Sequence, residues 1–251
     1  GTGATLEGSS VTITSTGNQL IASLAEVTAT QGIVLSAGSA TGNIAIGGVT
    51  TAATGVATLV TGDGTDSITI NNDNVTAVIT TGKATDTIIL TDIAATGSSV
   101  NAGDGDDAIS TGAITTTLVV NGGAGDDSFT TGGAGVGGTV DMGEGTSDTI
   151  VLAAGDYSVS SGPLAMKNIE RLDISAGDVT FDWAQLSGND VTFELRGNAT
   201  TDELIIEGGS TGDTISLTAI TSNALFDAAI KVTAGNGTNV ITGSESLIKT
   251  T

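Results

Sequence analysis

A seven-residue pattern returns along the middle of this chain at a nearly constant step, and few architectures can accommodate such a step. Its copies are Gly62-Asp63-Gly64-Thr65-Asp66-Ser67-Ile68, Gly82-Lys83-Ala84-Thr85-Asp86-Thr87-Ile88, Gly103-Asp104-Gly105-Asp106-Asp107-Ala108-Ile109 and Gly123-Ala124-Gly125-Asp126-Asp127-Ser128-Phe129. A fifth copy, Gly143-Glu144-Gly145-Thr146-Ser147-Asp148-Thr149-Ile150, is one residue longer. One acid of each copy falls at 66, 86, 107, 127 and 148, in steps of 20, 21, 20 and 21 residues. An apolar run precedes each Gly turn, as in Thr58-Leu59-Val60 and Leu118-Val119-Val120, and another follows it, as in Ile68-Thr69-Ile70 and Ile88-Ile89-Leu90. A unit of strand, Gly-Asp turn, strand and return loop cannot bury its apolar side alone, so it must stack on its neighbours. The spacing predicts an all-β chain: a parallel, right-handed β-helix with coils of about 20 residues.

Composition agrees with strands and argues against a conventional core. The chain has 251 residues with one Trp, one Tyr and four Phe, too few bulky anchors for an ordinary globular interior. Its apolar material is Val, Ile, Leu and Ala in short runs mixed with Thr, and stiff β-branched side chains pack well on a pleated surface. An apolar fraction of 38% argues for a folded chain despite the high net charge.

The whole chain, 1–251, reads as one solenoid, expected to be a fragment of a larger protein. Residues 1–58 hold strand-like runs (Val11-Thr12-Ile13, Ile33-Val34-Leu35, Ile44-Ala45-Ile46) without the acids, and read as coils with no metal motif. Residues 59–152 carry the acidic turns. Residues 153–192 break the register, contain the single Pro163, and with Phe193 just beyond hold Tyr157, Phe181 and Trp183; an insertion or bulge is expected there. Residues 193–251 resume the plan at Gly209-Ser210-Thr211-Gly212-Asp213-Thr214-Ile215 and Gly235-Asn236-Gly237-Thr238-Asn239-Val240-Ile241, with a weak helical periodicity only around Ser222 to Ile230.

Charge narrows the partners. Six Lys plus Arg against 28 Asp plus Glu give a formal charge of −22, which opposes nucleic acid and anionic membranes, since binding phosphates depends on Lys and Arg. No apolar run is long enough for a membrane-spanning helix, so membrane insertion is not expected. With no Cys and no His, soft-ligand metals are disfavoured and a hard, oxygen-seeking cation is the natural counter-charge. Stacked coils lie roughly 4.8 Å apart, so equivalent acids meet at that spacing and repel by about 3.5 kcal/mol at an effective dielectric of 20. Two oxygens on opposite sides of one calcium ion are about 5 Å apart. Several calcium ions are therefore expected, held by Asp63, Asp66, Asp86, Gly103, Asp104, Gly105, Asp106, Asp107, Gly123, Gly125, Asp126, Asp127, Glu144, Asp148 and Asp213, the glycines through backbone carbonyls. The competing reading of each acid is a solvated Asx turn, and Lys83 could itself supply the compensating charge in its copy.

The run Gly122-Gly123-Ala124-Gly125-Asp126-Asp127-Ser128-Phe129 resembles the RTX calcium repeat, Gly-Gly-x-Gly-x-Asp-x-apolar-x, but with one motif per coil of about 20 residues in place of one per nine. Thr/Ala/Gly-rich coils, isolated turns of this kind and the segment Asn168-Ile169-Glu170-Arg171-Leu172-Asp173-Ile174 together resemble the lattice-forming part of Gram-negative surface-layer proteins exported by type I secretion. That resemblance implies an extracellular, cell-surface structural protein that self-associates into a lattice or fibre and contacts cell-surface polysaccharide. Two other readings share the solenoid: the stalk or binding region of a secreted RTX-type adhesin, and a polysaccharide-acting enzyme. The enzyme reading is disfavoured, because only Arg171, Arg196 and four Lys could serve a lyase and the acids sit in ladders, not across a groove.

Overall fold

Short β-branched runs separated by glycine set the strands, and among the described residues every strand pairing is parallel. The structure, a computed structural model, describes residues 4–14, 22–37, 44–46, 49–51, 55–71, 75–91, 93, 96–112, 117–133, 136–158, 164–187, 193–197, 202–209, 212, 214–218, 220–222 and 230–243. The chain is an all-β solenoid of parallel strands, with roughly 21 residues per turn.

The first windings are built from β1 (Ala4–Thr14), β2 (Ala22–Ser36), β3 (Ile44–Ile46), β4 (Val49–Thr51) and β5 (Val56–Val60). Central windings contribute two strands each: β6 (Ser67–Asn71) and β7 (Thr76–Thr80), β8 (Thr87–Thr91) and β9 (Ser98–Asp104), β10 (Ala108–Thr111) and β11 (Thr117–Ala124), β12 (Ser128–Thr131) and β13 (Gly137–Glu144). In each, a Gly-Asp turn leads from the second strand into the next winding. Then come β14 (Thr149–Asp156), β15 (Leu164–Lys167), β16 (Arg171–Asp182) and the short α1 (Trp183–Ser187). The last described windings hold β17 (Phe193–Gly197), β18 (Leu204–Glu207), β19 (Thr214–Ser216), β20 (Ile220–Ser222), β21 (Ile230–Thr233) and β22 (Val240–Thr242).

The register stacks like on like. One inward ladder runs Ile68, Ile88, Ile109, Phe129, Ile150, Leu172 and Leu195, and a second runs Leu59, Ile79, Val100, Val120, Val140 and Met166. All of these side chains are buried. Fully burying each contributes about 1.5–3 kcal/mol, and alternation along the strand sends the Thr, Ser and Asn between them outward. Two inward residues per five-residue strand, such as Ile68 with Ile70 and Ile88 with Leu90, repeated every winding, build a long thin core with few aromatic anchors.

The irregular stretch has a local cause. Pairing of β14 with β16 slips between Leu152 and Ala153 and again between Ala153 and Gly155, and β16 continues into a third face, where it pairs with β18, which in turn pairs with β21. The wider cross-section is filled by Tyr157 stacked on Phe181, ring centroids 5.5 Å apart. Gln185 of α1 ties the corner together: its amide Nε2 donates to the carbonyls of Tyr157 (2.9 Å) and Leu164 (3.1 Å), and its Oε1 accepts the Asp182 N–H (2.7 Å). Pro163 and most of the Ser222 to Ile230 stretch lie outside the described residues.

Candidate metal-binding edge

The Gly-Asp turns stack along one edge and sort the acids into two rows. The inner row is Asp66, Asp86, Asp107, Asp127 and Asp148, all buried. A side chain at the inner position reaches along the axis, where its Oδ1 accepts the backbone N–H of the equivalent aspartate one winding earlier. Asp66 donates to Asp86 (2.7 Å), Asp86 to Asp107 (2.7 Å), Asp107 to Asp127 (2.8 Å) and Asp127 to Asp148 (2.7 Å). Asp148 donates to Glu170 Oε2 (2.9 Å), which ends the row. These bonds have the short length of charge-assisted contacts, so the stacked carboxylates do not simply face one another.

Three of these carboxylates have an oxygen left over. Asp107, Asp127 and Asp148 each bury an Oδ2 that meets no hydrogen-bond donor, and an unpaired polar atom out of water costs free energy. Burial pushes Asp86 up to about 6, Asp107 to about 7, Asp127 to about 6 and Asp148 to about 6, against the lowering effect of the N–H from the winding before. The neighbouring carboxylates raise them further.

The turn glycines make room for this row. A Cβ on Gly122 would fall on Asp127 Oδ2, and one on Gly145 on Asp148 Oδ2, so the carboxylate occupies the place of a side chain. Gly105 and Gly125 adopt φ of 136° and 134°, a region open to glycine, and Ala84 holds the same motif position at φ 79°. An L-residue pays about 1–2 kcal/mol there. Ala84→Gly is therefore expected to stabilise the protein by about 1 kcal/mol after the added chain entropy of glycine, measured by denaturant unfolding; a neutral or destabilising result would remove the strain from this turn.

The outer row is exposed. Asp104 and Glu144 flank Ala124 in register, beside the aligned Gly103, Gly123 and Gly143. Lys83 Nζ lies 3.6 Å from Asp104 Oδ2, both side chains largely in solvent, so that pair contributes little. Asp106 Oδ1 accepts the Asp126 N–H (2.9 Å), and Asp126 Oδ1 accepts the N–H of Thr146 (2.9 Å) and of Ser147 (3.1 Å). The Thr146 N–H, first among these donors, holds Asp126 below the usual carboxylate range. Asp106, Asp126 and Glu144 line one open groove with Gly125 and Gly143. Asp63 is exposed on the turn before Lys83, and Asp213 lies outside the described residues.

For a cation, the edge offers buried carboxylate oxygens without donors and a groove walled by acids. Among the described residues no three carboxylates converge on one point. An oxygen-seeking ion such as calcium, which takes six to eight ligands, would draw most of them from backbone carbonyls and water, with one or two carboxylates.

Two features escaped the reading of the repeat. Glu170 closes the inner row, and continuing the step by 22 residues from Asp148 would have found it. Asp202 reproduces the inner-row contact at another corner: it is buried, and its Oδ1 accepts the Gly177 N–H at 2.8 Å. It lies in no Gly-Asp motif, so the sequence carried no signal for it. Comparison with known protein families, with curated proteins and with solved structures finds no match.

Proposed function

We propose that this chain is a structural rod of an extracellular bacterial surface layer, stiffened by calcium and self-assembling, and that it catalyses no reaction. The observation that carries this reading is the row of buried carboxylate oxygens lacking donors along one edge. A row of that kind weakens a metal-free fold at neutral pH and gives a divalent cation a counter-charge to satisfy. The inner carboxylates of Asp86, Asp107, Asp127 and Asp148 and the groove acids Asp106, Asp126 and Glu144 would hold the ions, whose role is to neutralise the edge. Calcium is scarce inside cells and abundant outside, so such a chain would stay loose until export and stiffen afterwards.

Calcium titration by calorimetry, paired with thermal unfolding, tests the reading. Free calcium at a hundredfold excess over its Kd is expected to add about 2.7 kcal/mol, and a chelator to remove it. Unchanged unfolding with calcium and chelator would end the proposal. Electron microscopy of the calcium-loaded chain then separates ordered arrays, expected for a layer, from isolated rods, expected for an adhesin stalk. Turnover in a polyuronate-cleavage assay would overturn the non-enzymatic reading.

A further inference from the structure

Both arginines of the chain stand on one outer face, in a square of four charges. Arg171 and Asp173 flank the buried Leu172 on β16, and register sets Glu194 of β17 beside Arg171 and Arg196 beside Asp173. The signs therefore alternate along each strand and between the strands. All four side chains are half-buried, and their bonding is incomplete. Arg196 Nη2 meets Glu194 Oε2 at 2.7 Å, but its buried Nε has no acceptor. Among the described residues Arg171 makes no ion pair, and its Nη1 donates to the Ser147 carbonyl at a long 3.3 Å; Asp173 makes neither an ion pair nor a hydrogen bond. Burial raises the Asp173 carboxyl above its ordinary range in spite of Arg196 nearby.

A square of alternating charges is its own complement. Turned over by a two-fold axis lying in the face, it sets every cation against an anion, whether the axis runs along the solenoid or along the strands. The acidic turns separate the two cases. They lie at the start of β6, β8, β10, β12 and β14, along one side of the face. An axis along the strands would lay two acidic edges against each other, in a protein of charge −22. An axis along the solenoid sends them to opposite sides, about 17 Å apart for a five-residue strand, which exceeds the Debye length of about 8 Å at physiological salt. The same axis brings the rest of the face together. On those five strands the outward side chains as far as Val151 are uncharged and compact, such as Thr87 and Ile89, Ser128 and Thr130, or Thr149 and Val151. With β16 and β17 added, strands at about 4.8 Å spacing give a face of about 500 Å² per copy and about 1,000 Å² for a pair, where specific association begins.

We infer that this face takes the same face of a second copy of the chain, across a two-fold axis parallel to the solenoid, so that two rods lie side by side with Arg171 against Asp173 and Glu194 against Arg196. The contact is isologous and gives Asp173 and Arg196 the partners they lack within one chain. It supplies one contact for the self-assembly proposed above and rests on that reading.

Sedimentation over a concentration series in calcium-containing buffer tests it. Wild type is expected to pass from one copy to two. Asp173→Arg sets cation against cation twice per pair, Arg171→Asp sets anion against anion twice, and each alone is expected to weaken association about 100-fold or more. Mixed in equal amounts the two variants associate again, because each offers the sign the other lacks; recovery also shows that both are folded. Glu194→Arg mixed with Arg196→Glu repeats the test one winding on, should either of the first two misfold. Arg171→Asp combined with Asp173→Arg in one chain keeps opposite signs facing across the axial two-fold and still pairs, whereas an axis along the strands would set like against like. Val119→Lys, on the other flank at a residue 53% exposed, leaves association unchanged. Single variants that associate like wild type, folded variants whose mixtures stay monomeric, or a doubly exchanged chain that no longer pairs overturn the inference. Association lost on Val119→Lys but kept on Asp173→Arg overturns it while leaving self-assembly standing; wild type monomeric at every concentration overturns both.

Discussion

Asp107→Asn combined with Asp127→Asn is expected to raise the thermal midpoint of the metal-free protein at pH 8 and to shrink the further rise produced by calcium. The amide keeps an oxygen that can accept the N–H of the preceding winding and removes a buried charge at each position. Replacing an ionised group by a neutral one in a site without donors outweighs the weaker hydrogen bond, by about 1 kcal/mol per site. For a chain of this length about 2 kcal/mol moves the midpoint by roughly 5 °C. Calcium loses two carboxylates, so its contribution falls in the same variant. A gain without metal joined to a smaller calcium response distinguishes this account from a structural hydrogen-bond role, in which the Asn variant would be weaker under both conditions.

Acidity should act on the same row. Folded-state values of about 6 to 7 for Asp86, Asp107, Asp127 and Asp148 lie above the unfolded 3.8. Between about pH 4 and 7 the folded chain thus holds protons that the unfolded chain has released, and linkage makes stability fall as pH rises through that window. The four carboxylates titrate as a coupled set, each costing on the order of 1–2 kcal/mol once ionised. Without metal, the thermal midpoint is expected to be highest near pH 4 to 5 and to decline to a plateau above about pH 8. Asp126, whose carboxyl is held low, works in the opposite sense at still more acid pH. Calcium needs the deprotonated form, so its stabilisation should be large at pH 8 and small at pH 5. A metal-free midpoint that climbs from pH 5 to 8 would show that the inner carboxylates are stabilised by their N–H donors more than they are penalised by burial.

The repeat made the solenoid and the position of the acidic edge legible, because a constant step fixes which residues stack. Asp66, Asp86, Asp107, Asp127 and Asp148 fall into one row for that reason alone. What the step could not reveal was direction. Asp106 and Asp107 are adjacent in sequence, yet one faces solvent and the other the interior, a choice made by turn dihedrals that the glycines permit. Nor could spacing show that an inner carboxylate spends one oxygen on backbone, since stacking alone suggested carboxylates opposed across an ion. The third face around Tyr157 and Phe181 depends on slips in pairing at Ala153, where small residues give no periodic signal.

Every inner-row bond points the same way, the donor always lying one winding before its acceptor. Removing a winding strips the carboxylate from the one before it and leaves that N–H bare, whereas the winding after it loses only the donor it served. Fraying from the Glu170 side therefore leaves a bare N–H at each step back toward Asp66, and fraying from the other side leaves a bare carboxylate oxygen instead. The two directions of loss thus present opposite chemistry, donors on one side and acceptors on the other, a polarity that repeated coils alone would not suggest.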